Sequence, residues 1–127
     1  MEFAAELLRR DRAKYERSAL GDSPAFFDRC IVESISMARA AGLLSEAEAA
    51  AMLGTVSFHR RVFILPPWQE IYVNDAERDH TFEHCQRVHY ELTRWYVACG
   101  YHVHEVPRVS PRQRAEQVLR ALADGDA

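Results

Sequence analysis

The sequence predicts an α/β domain with parallel strands, and three observations carry the prediction. Short apolar runs stand near residues 25–28, 60–65 and 101–106, each closed by a charge, a proline or a turn residue. Between them, apolar residues return at helical spacing. The intervals are long enough for a helix to carry the chain back across a sheet, which parallel pairing requires.

The first element is a helix over 2–19, because Phe3, Leu7, Leu8 and Tyr15 recur near one turn apart among Arg, Asp and Glu. Gly21 to Pro24 breaks it. "AFFD", 25–28, reads as a short buried strand closed by Asp28. A second helix follows with Ile31, Val32, Ile35 and Ala38 on one stripe and Gly42 at its end. Ser45 opens a third, since "SEAE" has the spacing of a capping box. "RRVFILPP" supplies a second strand, Val62 to Leu65, stopped by Pro66 and Pro67, which have no N–H to give a ladder. The next stretch, from Trp68 to Asp79, has no clear period. From His80 to Cys99 a long helix returns, with Phe82, Cys85, Val88, Leu92 and Trp95 or Tyr96 as its stripe and Gly100 closing it. "YHVHEVP" is the third strand. Ser110 then caps a last helix with Pro111 at its first position. Residues 1–123 are read as one domain and 124–127 as a frayed tail.

Composition narrows the function classes. The 127 residues are 48% hydrophobic, ample for a core, and hold 16 basic against 19 acidic side chains for a net charge of -3. That balance offers no broad basic field, so nucleic acid is not an expected partner. No apolar run approaches a membrane span of ~18 residues, and the first residues, "MEFAAELLRR", lack the pattern of a secretory leader. Cys30, Cys85 and Cys99 form no CxxC pair and make neither a disulfide framework nor a cysteine-rich zinc site. A reducing cytoplasm is the expected setting.

In a parallel sheet the ligand crevice lies at the strand C-termini, which singles out Asp28 and Arg29, then Pro66 to Glu70, then Pro107 to Ser110. Asp28 has two readings: an acid that holds magnesium through water, or the N-cap of the next helix. Both stay open on the residues alone. Arg29 beside it can pair with phosphate oxygens. His80 and His84 are one helical turn apart, as are Cys85 and His89, but the pairs point roughly 140° apart around a helix and do not converge on one ion. A two-ligand site completed by His102 or His104, or a nucleophilic Cys30, has no motif in its support. In "DAERD", 75–79, Asp75 can cap the coming helix, and Arg78 can swing over a phosphate as a lid arginine or sit at an exposed helix start.

Taken together, "FAAELLRRDRAKYE", "FFDRC", "RRVFILPPWQEIYVNDAERDHTFE" and "GYHVHEVPRVSPRQRAEQVL" resemble the AAA-type bacterial P-loop ATPases of nucleoside-kinase-like build, from Phe3 to Leu122. The resemblance implies a three-layer P-loop NTPase fold with five parallel strands, and ATP with magnesium as cofactors. It implies that Asp28 is the Walker B acid holding magnesium through water, and that Arg29 and Arg78 act on the transferred phosphate. Pro107 and Val109 lie where such folds border the base. Family members commonly carry glycine after the Asp-Arg pair, where this chain has Cys30.

One part of that pattern is missing from the sequence. A phosphate loop needs closely spaced glycines followed by lysine, so that successive N–H groups surround the phosphates. The only lysine is Lys14, in "RAKYE", and the five glycines stand apart at 21, 42, 54, 100 and 125. By the resemblance, the chain is the C-terminal portion of the domain, lacking its central phosphate-loop strand. A start assigned too late or a truncated gene would account for that. The expectations are very weak ATP binding and no turnover by this chain alone. The alternative is a non-enzymatic, truncated paralogue whose unpaired strand edges are completed by a partner or by self-association. The substrate, a small molecule or a protein, is left open.

Overall fold

The computed structural model describes residues 2–21, 24–68 and 81–123. They fall into two compact units, divided after Phe58.

The first unit is helical: α1 (Glu2–Ser18), α2 (Ile31–Ala40) and α3 (Glu46–Leu53). Its core is the stripe on α2, where Ile31, Val32, Ile35 and Ala38 are buried, and α1 and α3 both pack on that helix. Burying each of the larger side chains contributes roughly 1.5–3 kcal/mol. On α1 the inward positions are Ala4 and Asp11, seven residues and so two turns apart, while Phe3 is 70% exposed. The sequence stripe placed Phe3 inward; the helix turns the small Ala4 toward the core instead. Lys14 Nζ lies 3.4 Å from Asp11 Oδ1, which partners an acid that burial alone would disfavour.

The helix ends follow local chemistry. Gly42 takes φ 81° after α2, a conformation without steric cost only for glycine. There Leu43 N–H reaches Ala38 O at 2.9 Å and Gly42 N–H reaches Arg39 O at 3.1 Å, a Schellman closure. At α3 the capping box forms: Glu48 N–H donates to Ser45 Oγ at 3.1 Å and Ser45 N–H donates to Glu48 Oε1 at 2.9 Å. That contact holds the Glu48 carboxyl below the usual carboxylate range.

"AFFD" is not a strand. Residues 24–27 are irregular, 28 and 29 form a bend, and no backbone hydrogen bond joins 24–29 to another described residue. The physical reason is that a strand satisfies its backbone only through a neighbour, and this run has none among the described residues. A side chain fixes the segment instead. Phe27 meets Phe58 edge to face at 5.3 Å, Phe58 also meets Tyr15 at 5.2 Å, and Ser57 N–H donates to Tyr15 Oη at 2.8 Å.

The second unit contains β1 (Arg61–Ile64), α4 (Phe82–Ala98), β2 (His102–Glu105) and α5 (Pro111–Ala123). β1 and β2 pair in parallel with Arg61 opposite His102 and Ile64 opposite Glu105, so strand, helix and strand form a β-α-β unit. His102 N–H donates to Arg60 O and Val106 N–H to Ile64 O, each at 2.9 Å. Among the described residues the sheet has these two strands, against the five that the resemblance implies. α4 starts at its N-cap Thr81, whose side chain accepts from His84 N–H, and closes through Gly100 at φ 94°. Asp75, expected as the cap, lies outside the described residues. Among the described residues of this unit, Tyr96, Val106 and Ala121 are buried.

Candidate functional site

The turn after "AFF" is built by its own backbone. Arg29 has φ 67°, the left-handed region that costs a side-chain-bearing residue roughly 1–2 kcal/mol. Its guanidinium reaches forward to Glu33, Nη1 to Oε2 4.0 Å, a long contact between an exposed arginine and a largely covered glutamate. The N-cap of α2 is Cys30, extended at φ -150° and ψ 179°, with no side-chain capping bond. The capping reading of Asp28 is therefore overturned: it sits two residues before the cap position, beyond reach of the N2 and N3 amides in this turn. Asp28 is exposed and makes neither a hydrogen bond nor an ion pair with a described residue.

The ends of β1 and β2 are tied together by Arg108, which lies within the candidate stretch Pro107 to Ser110 but was given no role of its own. Arg108 donates to Pro67 O through Nε at 3.3 Å and Nη2 at 3.0 Å, linking the segments that follow the two strands. The signal available in the sequence was its position, between Pro107 and Val109 just past a strand. Val109 N–H donates to Pro107 O at 2.9 Å, so these two flank a tight turn at that end of the sheet. Asp28 and Arg29 belong to the first unit and Pro107 and Val109 to the second. Arg78 lies outside the described residues.

The other candidates do not gather. Among the described residues no group of three or more His, Cys, Asp and Glu could hold a metal ion. His80 lies outside the described residues. Cys30, Cys85 and Cys99 are free thiols; burial pushes the Cys99 thiol up, which keeps it protonated and unreactive. His89 Nε2 is 4.0 Å from Glu105 Oε2, and its Nδ1 is buried without a partner among the described residues.

The groups that could receive a triphosphate are committed elsewhere. Lys14 is on α1 beside Asp11. Gly42 and Gly100 close helices, and Gly54 is the C-cap of α3. The described residues of this chain therefore do not fit magnesium–ATP by themselves: one bare carboxylate and one neighbouring guanidinium are present, without a cradle of N–H groups.

Among known families, the model of the AAA domain matches residues 1–114, most of the chain and parts of both units. No curated protein and no solved structure matches. No helix among the described residues is long and apolar enough to cross a membrane.

Proposed function

The chain belongs to the AAA domain family, and on that premise we propose that residues 1–123 are a partial P-loop ATPase domain of nucleoside-kinase-like build. It carries the acid and the arginine of the nucleotide site and not the phosphate loop. Domains of this family generally bind ATP and magnesium. In a domain completed by a phosphate loop, Asp28 is the residue we assign to the metal, through water. Arg29 and Arg78 are assigned to the charge on the γ-phosphate, and Pro107 and Val109 to the border of the base.

The observation that carries this reading is the contrast at Asp28. Asp28, exposed and without a partner among the described residues, stands directly before Arg29, whose positive φ costs stability. Backbone strain of that kind is concentrated at functional sites. Lys14 is engaged in helix α1, and Gly42, Gly54 and Gly100 stand at helix ends. ATP hydrolysis by the 127-residue chain tests the reading. Turnover is expected at the buffer level and unchanged by Asp28→Asn; hydrolysis that depends on Asp28 would overturn it.

One further observation favours the alternative reading, an interaction or self-association module. Each strand of the sheet has one neighbour among the described residues, so the other edge of each offers N–H and C=O groups to an added strand. Size measurement across a concentration series distinguishes the two: a stable dimer or larger assembly supports the module, a monomer at all concentrations removes it.

A further inference from the structure

At the opposite end of the sheet from Pro107 and Arg108, the first residues of β1 and β2 and the last turns of α5 enclose an open concavity of about 360 Å³. Arg61, His102, His104, Gln117 and Arg120 line it, and among the described residues no carboxylate does. In parallel register Arg61 lies beside His102, and Phe63 beside His104, so these four side chains share one sheet face. The ring of His104 packs against Phe63 at 5.4 Å, which holds the imidazole in place on that face.

The donors of this cluster are largely unspent. Arg61 Nη1 donates to Ala121 O at 2.7 Å, which satisfies an orphan carbonyl at the end of α5 and leaves its other N–H groups. Arg60 Nη2 lies 3.3 Å from His102 Nε2, which brings a further guanidinium to the rim. The His104 ring, the Gln117 amide and the Arg120 guanidinium make no hydrogen bond or ion pair with a described residue. Among the described residues the nearby acids are engaged away from it: Glu116 pairs with Arg112 at 3.4 Å, and Glu105 lies toward His89 on the other face of the sheet. A chain whose net charge is -3 thus concentrates positive charge at one end of one sheet.

From this juxtaposition we propose that the concavity binds a phosphate-type oxyanion, with Arg61 and Arg120 as its charge partners and His104 and Gln117 as further hydrogen-bond donors. Guanidinium forks suit tetrahedral oxyanions because they donate two parallel bonds to one group. The volume matches roughly a dozen waters at about 30 Å³ each, enough for a diphosphate with part of its hydration. The site lies at the N-terminal ends of the strands, whereas the ATPase reading concerns their C-terminal ends. The two readings stand or fall separately.

The test is titration of the full chain with pyrophosphate at constant ionic strength, followed by NMR at the His102 and His104 rings and at Arg120 Nε. Saturable shifts at these groups are expected. Because Arg120 is exposed, Arg120→Gln should keep the fold while weakening binding about tenfold, the loss of one charge-assisted contact. Arg120→Lys should recover part of that loss, and His104→Gln should weaken binding by a smaller factor. A parallel titration with ADP identifies the source of the anion: tighter binding than pyrophosphate assigns it to a nucleotide, equal or weaker binding to a free anion. Shifts that chloride reproduces at equal ionic strength, shifts that appear at residues 28–30 instead, or an affinity unchanged by both Arg120→Gln and His104→Gln would overturn the proposal.

Discussion

"AFFD" at 25–28 and "VFIL" at 62–65 are nearly the same kind of segment: four residues, mostly apolar, between breakers. Residues 61–64 form a strand, in register with β2 and bonded to it on one edge. Residues 24–27 form none, and Phe26 is 71% exposed while Phe27 turns in against Phe58. The difference lies in the neighbours and not in the run itself. A strand is a property of a pair, because its backbone groups are satisfied across the ladder. At 24–28, where no described residue stands as a neighbour, one aromatic side chain anchors the segment.

The comparison predicts that the first unit is held by helix side chains rather than by pairing at 25–28. The largest effect should come from Ile35→Ala, which empties a fully buried position on α2 and should cost roughly 2–5 kcal/mol in chemical denaturation. Phe27→Ala should cost about 1–2 kcal/mol through loss of its contact with Phe58, whereas Phe26→Ala should stay within about 0.5 kcal/mol. Equal costs for the two would mean that both faces of the run are packed, as in a buried strand, and would break the comparison.

Arg29→Gly should be stabilising, by on the order of 0.5 kcal/mol. Relief of the left-handed backbone exceeds the loss of a long, 4.0 Å contact with Glu33 and the added chain entropy of glycine. A destabilised variant would show that the Glu33 contact outweighs the backbone strain. The smallest effect concerns pH at α3. Hydrogen bonds from Ser45 hold the Glu48 carboxyl below its ordinary range in the folded chain. Its contribution is therefore full above the unfolded-state pKa and is lost as pH falls through the lower folded-state value. Glu48→Ala should remove that part of the acid dependence of stability, read by circular dichroism between neutral and acid pH.

Much of the fold was legible because it is written in local chemistry. Ser45 with Glu48, Ser110 with Gln113, and the glycines at 42 and 100 each satisfy backbone groups at a helix end within a few residues, so sequence spacing suffices to see them. The stripe Ile31, Val32, Ile35 and Ala38 is likewise local and is the buried core. What was not legible depends on non-local neighbours. "AFFD" looked like a strand because apolar content does not report whether a partner exists. On α1 a period shared by Phe3 and Ala4 could not say which residue faces α2. The site divides the same way: Asp28 and Arg29 stand out by position in the chain. The link from Arg108 to Pro67 joins residues 41 apart in sequence. The basic concavity unites first strand residues with the far end of a helix. No spacing rule brings those residues together.

The central claim is that 24–28 has no strand partner among the described residues and, on the function proposed above, that its acid stands outside a complete nucleotide site. Residue-resolved amide hydrogen exchange, with and without magnesium–ATP, addresses both parts at once. The account predicts unprotected amides at Phe26, Phe27 and Asp28, protected amides at His102 and Val106, and no change at 26–28 on adding the nucleotide. Protection at Phe26 and Phe27 comparable to that of Val106, or protection arising there when magnesium–ATP is added, would contradict it.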